Sequence, residues 1–435
     1  MSDLQEQLAE LRQRIARVSS DFDRRYSGRL DERPQLPVDE WTDFGETPRP
    51  GHEYVQEWMQ GEEVETEFGR HFETEKLYEK HRMHGSADIG ALSDLPQDLL
   101  DSVSGSPIAQ APPNEWAFLD TETTGLAGGT GTCAFLIGIG RITPEGFRVR
   151  QFFMRDYGEE ASALDAVARH LASFRVMITY NGRTYDQPLL ETRYRLNRAP
   201  TPFAAMDHLD LLHGARRLWK LRFDSCRLVD LENQVLGVER IGDLAGALIP
   251  YVYFEYLRTK EAARMIPIFH HNATDILTLA CLTGIVPYAF RDAGRSSLKN
   301  GPELAGIARW LRAAGEFEQA RALFRRAIDA GLKDELLFQT LWDVAAIERK
   351  LGAIDAAIVV WRDLAESPNK FRVQAMEELA KHYEHRDKDC GRALEMTRAA
   401  LELDESAELR KREERLQRRL IGASGKSSFK SSLPS

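Results

Sequence analysis

The stretch Trp116-Ala117-Phe118-Leu119-Asp120-Thr121-Glu122-Thr123-Thr124-Gly125-Leu126 decides the reading of this chain. Four apolar residues followed by alternating acid and threonine form the pattern of a buried strand whose end runs out into a polar site. In a strand, residues two apart point to the same face, so Asp120 and Glu122 present both carboxylates to one place. Side by side they repel unless a cation sits between them. Magnesium and manganese take oxygen ligands and keep positions open for a phosphate, which is how such a pair becomes catalytic. An acidic strand end entering a turn is the plainer alternative. D-x-E alone does not decide between them; the full DTETTGL context favours the site.

Downstream, the apolar runs CAFLIGIGRI, FRVRQFFM and RVMITYN alternate with a helical pattern over 161–173, and a further helix covers Ile268 to Tyr288. Consecutive strands followed by helices predict an α/β domain with a mixed sheet and flanking helices. The glycine-rich GLAGGTGT (125–132) lacks the G-K-[ST] ending of a phosphate-binding loop and is read as a strand-to-strand turn near the site.

Two more elements carry acids. In ITYNGRTYDQPLL (178–190) a strand breaks at Asn181-Gly182 and enters a helix whose first turn holds Asp186, with Tyr185 placed to pack or stack. In FHHNATDIL (269–277) His271 and Asp275 are four apart and share a helix face. A histidine there can take a proton from an attacking water, because imidazole titrates near neutral pH.

With these three elements the chain resembles the DEDD exonucleases of the ribonuclease H-like superfamily. Their motifs are D-x-E, a later N-x-x-x-D and a final H or Y before the last Asp. The match falls at Asp120 and Glu122, at Asn181 with Asp186 (one residue longer than the simplest spacing), and at His271 with Asp275. Histidine in place of tyrosine points to the DEDDh branch. That branch commonly places histidine five before the Asp, which selects His270 as the alternate base. More narrowly, residues 60–400 are similar to the YprB-type bacterial proteins, a ribonuclease H-like domain followed by tetratricopeptide-like repeats. The resemblance implies two divalent cations, Mg2+ or Mn2+, on Asp120, Glu122, Asp186 and Asp275, while the i to i+4 spacing to Asp275 and the His271-Asn272 pair favour His271 over His270 as general base. It also implies 3'-5' exonuclease action on DNA in repair, and a superfamily 2 helicase partner. RNA as substrate, or a non-catalytic binding scaffold working through the repeats, are the rival readings.

Between Arg193 and Arg227 there are eight basic residues against Asp207, Asp210 and Asp224. Asn181, Tyr185, Arg216, Arg217, Trp219, Lys220 and Arg222 are therefore the candidate nucleic-acid contacts, cations for phosphates and aromatics for bases. A solvated helix face with buried aromatics is the competing reading. The whole chain is acidic, with a net charge of −10, which argues against non-specific coating of nucleic acid but leaves room for a local basic groove.

The last third repeats itself. RWLRAAGEFEQARALFRRAIDAG and AIERKLGAIDAAIVVWRDLAES align with Gly315 over Gly352 and Ala320 over Ala357, a period of 37, and Ala393 follows 36 residues on. Small residues at the turns and large ones at Phe324 and Trp361 suit stacked helix pairs of the tetratricopeptide kind, a scaffold for a protein partner. The expected layout is an amphipathic helix over 1–25, an irregular region and linker over 26–112, the nuclease-like domain over 113–292, repeats over 300–420 and a disordered tail over 421–435. Four cysteines far apart indicate neither a zinc site nor a disulfide framework. Without a secretory signal or a run of roughly 18 apolar residues, the expected location is the cytoplasm.

Overall fold

The computed structural model describes residues 55–104, 107–125, 131–240, 242–291, 293 and 298–430, with side chains as far as 421. The expected N-terminal helix and the middle of the GLAGGTGT turn lie outside the described residues.

The strands are β1 (Glu62–Thr66), β2 (Gly69–Glu79), a small ribbon of β3 (Met83–His84) and β4 (Ala87–Asp88), then β5 (Trp116–Thr123), β6 (Ala134–Thr143), β7 (Gly146–Phe153), β8 (Val176–Thr179) and β9 (Asp207–Asp210). Seven of them make one mixed sheet in the order β1-β2-β7-β6-β5-β8-β9. Pairing is antiparallel from β1 through β5 and parallel from β5 to β8 and β9. Helices α1 (Glu160–Leu171) and α2 (Asp186–Leu196) cover one face; α3 (Leu211–Trp219) and α5 (Ile266–Thr283) cover the other, with α4 (Ile249–Thr259) packed beside them.

Strand β5 shows how the layers arise from sequence. Trp116 and Phe118 enter the core shared with α5, while Ala117 and Leu119 enter the core shared with α1 and α2. By the same alternation Asp120 and Glu122 emerge on the α5 side and Thr121 on the α2 side. The approach of α5 to the sheet depends on two glycines of β6. A Cβ at Gly138 would stand 2.2 Å from Asn272 Oδ1 and 2.3 Å from Ile276 Cδ1, and one at Gly140 would stand 2.6 Å from Ile276 Cγ2. Any side chain there would push α5, and Asp275 with it, away from β5. Residues 262–291 are apolar enough over a sufficient length to cross a membrane, but 78% of that window is buried inside this fold.

Over its described residues, from 55 to 104 and from 107 to 112, the region expected to be irregular is corrected; the rest of 26–112 lies outside the described residues. Strands β1 and β2 extend the sheet from its β7 edge, and Leu92, Leu95, Leu99, Leu100 and Val103 join the main core. The strand signal was hidden because β2 buries polar residues: His71 and Glu73 bond to each other at 2.8 Å, and Arg150 pairs with Glu73. Buried ion pairs of this kind break apolar alternation without breaking the strand.

The C-terminal region is all helix. Hairpins α6 (Gly301–Ala314) with α7 (Phe317–Asp329), α8 (Asp334–Lys350) with α9 (Ile354–Glu366), and α10 (Arg372–His382) with α11 (Cys390–Leu401) precede α12 (Ala407–Lys430). The inter-helix turns fall at Gly315, Gly352 and Lys388, all left-handed with φ of 89°, 81° and 59°. Ala320, Ala357 and Ala393 are fully buried where the helices of each hairpin cross. The last helix continues through residues 421–430, which corrects the disordered tail over that stretch.

Candidate active site

Three elements bring the acids together. Asp120 and Glu122 come from the end of β5, Asp186 from the first turn of α2 and Asp275 from the middle of α5. Asp186 Oδ1 accepts a hydrogen bond from Thr121 Oγ1 at 2.6 Å, reaching β5 from the α2 side. Asp120 Oδ2 accepts from Asn272 Nδ2 at 2.8 Å; Gln151 Nε2 in turn donates to Asn272 Oδ1 at 2.8 Å and fixes the amide. The Glu122 side chain makes no hydrogen bond or ion pair with any described residue, although its backbone pairs with β6 at Leu136.

The electrostatics follow from this crowding. Burial, then the charges of Asp275 and Asp186, hold Asp120 well above the usual carboxylate range. Burial and the charges of Asp120, Asp275 and Asp186 do the same to Glu122. Burial pushes Asp186 up to about 6 against the pull of Thr121. These groups are short of positive charge.

One arginine answers part of that deficit. Arg240 donates through NH2 to Asp275 Oδ1 and to Glu232, and through NH1 to Asp243 Oδ2 at 3.2 Å. His271 stands between two acids: Nδ1 lies 2.8 Å from Asp243 Oδ1 and Nε2 lies 3.6 Å from Asp275 Oδ2. Burial opposes its protonation, but the Asp243 bond and the Asp275 charge raise His271 above its usual value. His270 is exposed and faces a cavity of about 290 Å³ whose wall includes Tyr78, His84 and Glu232 together with Arg240 and Asp243 of the site.

The loop that delivers Asp186 is held by a residue the motifs did not mark. Buried Asp210 accepts from the backbone N–H groups of Asn181 at 2.8 Å, Arg183 at 3.2 Å and Leu212 at 3.1 Å, so it ties the loop after β8 to the start of α3. Asn181 takes a left-handed φ of 69°, and a Cβ at Gly182 would meet the Thr179 side chain at 2.5 Å. Asp210, Asp243, Arg240 and Asn272 are the functional candidates that motif reading missed. For Arg240 and Asp243 the available signal was an E-R-x-G-D run near Gly237.

Of the expected nucleic-acid contacts, Arg216, Lys220 and Tyr185 are exposed and Asn181 half-buried. One is corrected and two have protein partners. Trp219 is only 3% exposed and donates from Nε1 to Glu303 of α6 at 3.1 Å. Arg222 is held by the same carboxylate at 2.6 Å, and Arg217 reaches the Val103 carbonyl at 3.4 Å. Residues 216 and 220 share one face of α3 and 215, 218 and 219 the other, so composition alone could not separate the solvent face from the core face.

The donor set suits a hard cation: four carboxylates, no sulfur, and a mutual repulsion that added positive charge would relieve. As packed, Arg240, Thr121 and Asn272 occupy oxygens of Asp275, Asp186 and Asp120. No group of three or more His, Cys, Asp or Glu among the described residues is arranged to hold an ion.

A family model described as RNase_H superfamily matches residues 117–286. Protein YprB of Bacillus subtilis (strain 168) is 33% identical over 290 residues, covering 66% of this chain and 69% of that protein. The family B DNA polymerase from the hyperthermophilic archaeon Pyrobaculum calidifontis aligns over 57% of this chain and 30% of its own, with 12% identity and a TM-score of 0.30. The family model places residues 117–286 in the RNase H superfamily, and the identity to YprB over most of both chains places the protein within the family of Bacillus subtilis YprB.

Proposed function

We propose that this protein is a metal-dependent 3'-5' exonuclease of the DEDDh kind that hydrolyses phosphodiester bonds in DNA, in repair. The observation that carries the reading is the close group of half-buried Asp120 and Glu122 at the end of β5 and buried Asp186 from α2, all raised by desolvation and neighbouring carboxylate charge, with His271 beside Asp275. RNase H-like nucleases usually use divalent metal ions. Mg2+ or Mn2+ on Asp120, Glu122, Asp186 and Asp275 would supply the positive charge that a phosphate and its leaving oxygen need.

The chain's own groups divide the remaining work. With Nδ1 donating to Asp243, the His271 lone pair lies on Nε2, the nitrogen turned toward Asp275, where it can accept a proton from water. Asp243 fixes the tautomer and stabilises the imidazolium that results. Asn272 and Thr121 orient Asp120 and Asp186. A cation held by Asp275 would compete with Arg240 for that carboxylate, and a guanidinium freed from it would suit a phosphate oxygen. A superfamily 2 helicase is the partner for the helical array.

The test is digestion of end-labelled single-stranded and duplex DNA beside matched RNA, in Mn2+, Mg2+ and EDTA, with wild type and Asp120→Asn. Metal-dependent shortening of DNA from the 3' end, absent in the variant, is expected. Shortened RNA with intact DNA would move the activity to RNA turnover, and cleavage of neither would leave the array as the working part.

A further inference from the structure

A cleft of about 640 Å³ opens beside the loop that carries Asp186, with Tyr180, Asn181, Arg216, Lys220, Phe223 and Arg227 in its wall. Arg216 and Lys220 are exposed and form no ion pair or side-chain hydrogen bond with any described residue. That sets them apart in a molecule whose arginines are mostly paired. They lie four apart on α3, about 6 Å along the helix axis. Arg227 is paired with Asp230 at 2.8 Å, and Asp224 is the acid in the wall. Tyr180 is pinned by its hydroxyl, which donates to the Cys226 carbonyl, so its ring is fixed before any ligand arrives.

The cleft and the acid group share a wall. Asn181 lines the cleft, and five residues later the same loop, anchored by Asp210, ends in Asp186. A volume of this size falls in the range of about 300–1,000 Å³ that accepts small ligands. It is large enough for a nucleotide or two. Two unopposed cations at this spacing, with aromatic rings beside them, match what a single strand presents: repeated phosphates and flat bases.

Resting on the nuclease reading, we propose that this cleft is the subsite for single-stranded nucleic acid next to the scissile bond, with Arg216 and Lys220 each on one of two neighbouring phosphates and Tyr180 and Phe223 against the bases.

The experiment is fluorescence anisotropy of a labelled single-stranded oligonucleotide titrated with full-length Asp120→Asn protein in EDTA across a range of KCl. It is repeated with Arg216→Gln and Lys220→Gln added, and with Lys411→Gln and Arg418→Gln as a remote control of equal charge. At about 0.7 per phosphate, the slope of log affinity against log salt should fall by about 1.4 for the cleft pair. Affinity near 0.1 M salt should drop on the order of 10-fold, with the remote pair unchanged. Equal slopes for all three proteins, with melting temperatures preserved, overturn the proposal. So does competition by polyglutamate as strong as by unlabelled oligonucleotide, which would make the cleft a site for acidic peptides. Hydrolysis of bis(p-nitrophenyl) phosphate by wild-type protein in Mn2+ is scored separately: its absence counts against the nuclease chemistry and leaves the binding result to stand on its own.

Discussion

Buried acids occur in both halves of this molecule, and their partners differ. In the helical array Asp343 meets Arg309 and Arg312, Glu348 meets Arg321 and Arg325, and Glu384 meets Arg412, Arg415 and Arg419. At the end of β5, Asp120, Glu122, Asp186 and Asp275 crowd together with one arginine, Arg240, which touches only Asp275 of the four. Desolvating a charge costs several kcal/mol unless it is paired. The array meets that requirement locally and so uses its acids as helix-to-helix ties. The sheet leaves it unmet at the end of β5, and the proposed catalytic role rests on that deficit.

The comparison can be broken most directly at Asp120. Asp120→Asn should lower cleavage of end-labelled DNA in Mn2+ by about 10³-fold or more, while the melting temperature in EDTA holds or rises because a repelling charge is gone. A clear fall in melting temperature would mean Asp120 is a tie like those of the array. The mirror experiment is Glu384→Ala, which strands three arginines. It should cost about 2–3 kcal/mol in denaturant unfolding and leave the cleavage rate per folded molecule unchanged.

Asp243→Asn sharpens the assignment of His271. Cleavage should fall on the order of 10- to 100-fold. Because Asp243 helps hold the histidine above its usual value, the acid limb of the pH–rate profile should also move to lower pH. A uniform loss with an unmoved limb would make Asp243 merely structural.

The smallest effect is the pH dependence of stability in EDTA, where the two regions carry opposite signs. Asp186 is raised from an ordinary 3.8 to about 6. Its folded form binds the extra proton, so its contribution is present below about 4 and is lost as pH rises through about 6. Burial works against Glu384, but Arg415 and its neighbours hold it below 4.5. Its contribution is present above 4.5 and is lost as pH falls through the folded value. Asp186→Asn should flatten the first trend, read from melting temperatures between pH 4 and 7, and Glu384→Gln the second, read from about pH 5 downward.

Much of this was legible in the chain. Strand alternation and the spacing of DTETTGL put Asp120 and Glu122 on one face, and the i to i+4 relation put His271 beside Asp275. The mixed sheet and the all-helical C-terminal region followed from apolar period and turn glycines. What stayed hidden depends on contacts far apart in sequence. Arg240 bonds Asp275 across 35 residues and Asp243 bonds His271 across 28. Asn272 reaches Asp120 across 152 because two glycines of β6 let α5 lie close. No local pattern encodes such meetings. Strands β1 and β2 were missed for the converse reason, since their buried face is partly ionic.

The junction of the two halves has a mechanical consequence. Trp219 and Arg222 share the Glu303 carboxylate, and Gly306 of α6 lies so close to the Arg217 carbonyl that an added Cβ would stand 2.3 Å from it. Helices α3 and α6 therefore meet backbone to backbone, with no side-chain cushion to absorb sliding. The helix that carries Arg216 and Lys220 is also the beam on which the array is mounted, so a torque applied to the first hairpin is borne by the wall of the cleft.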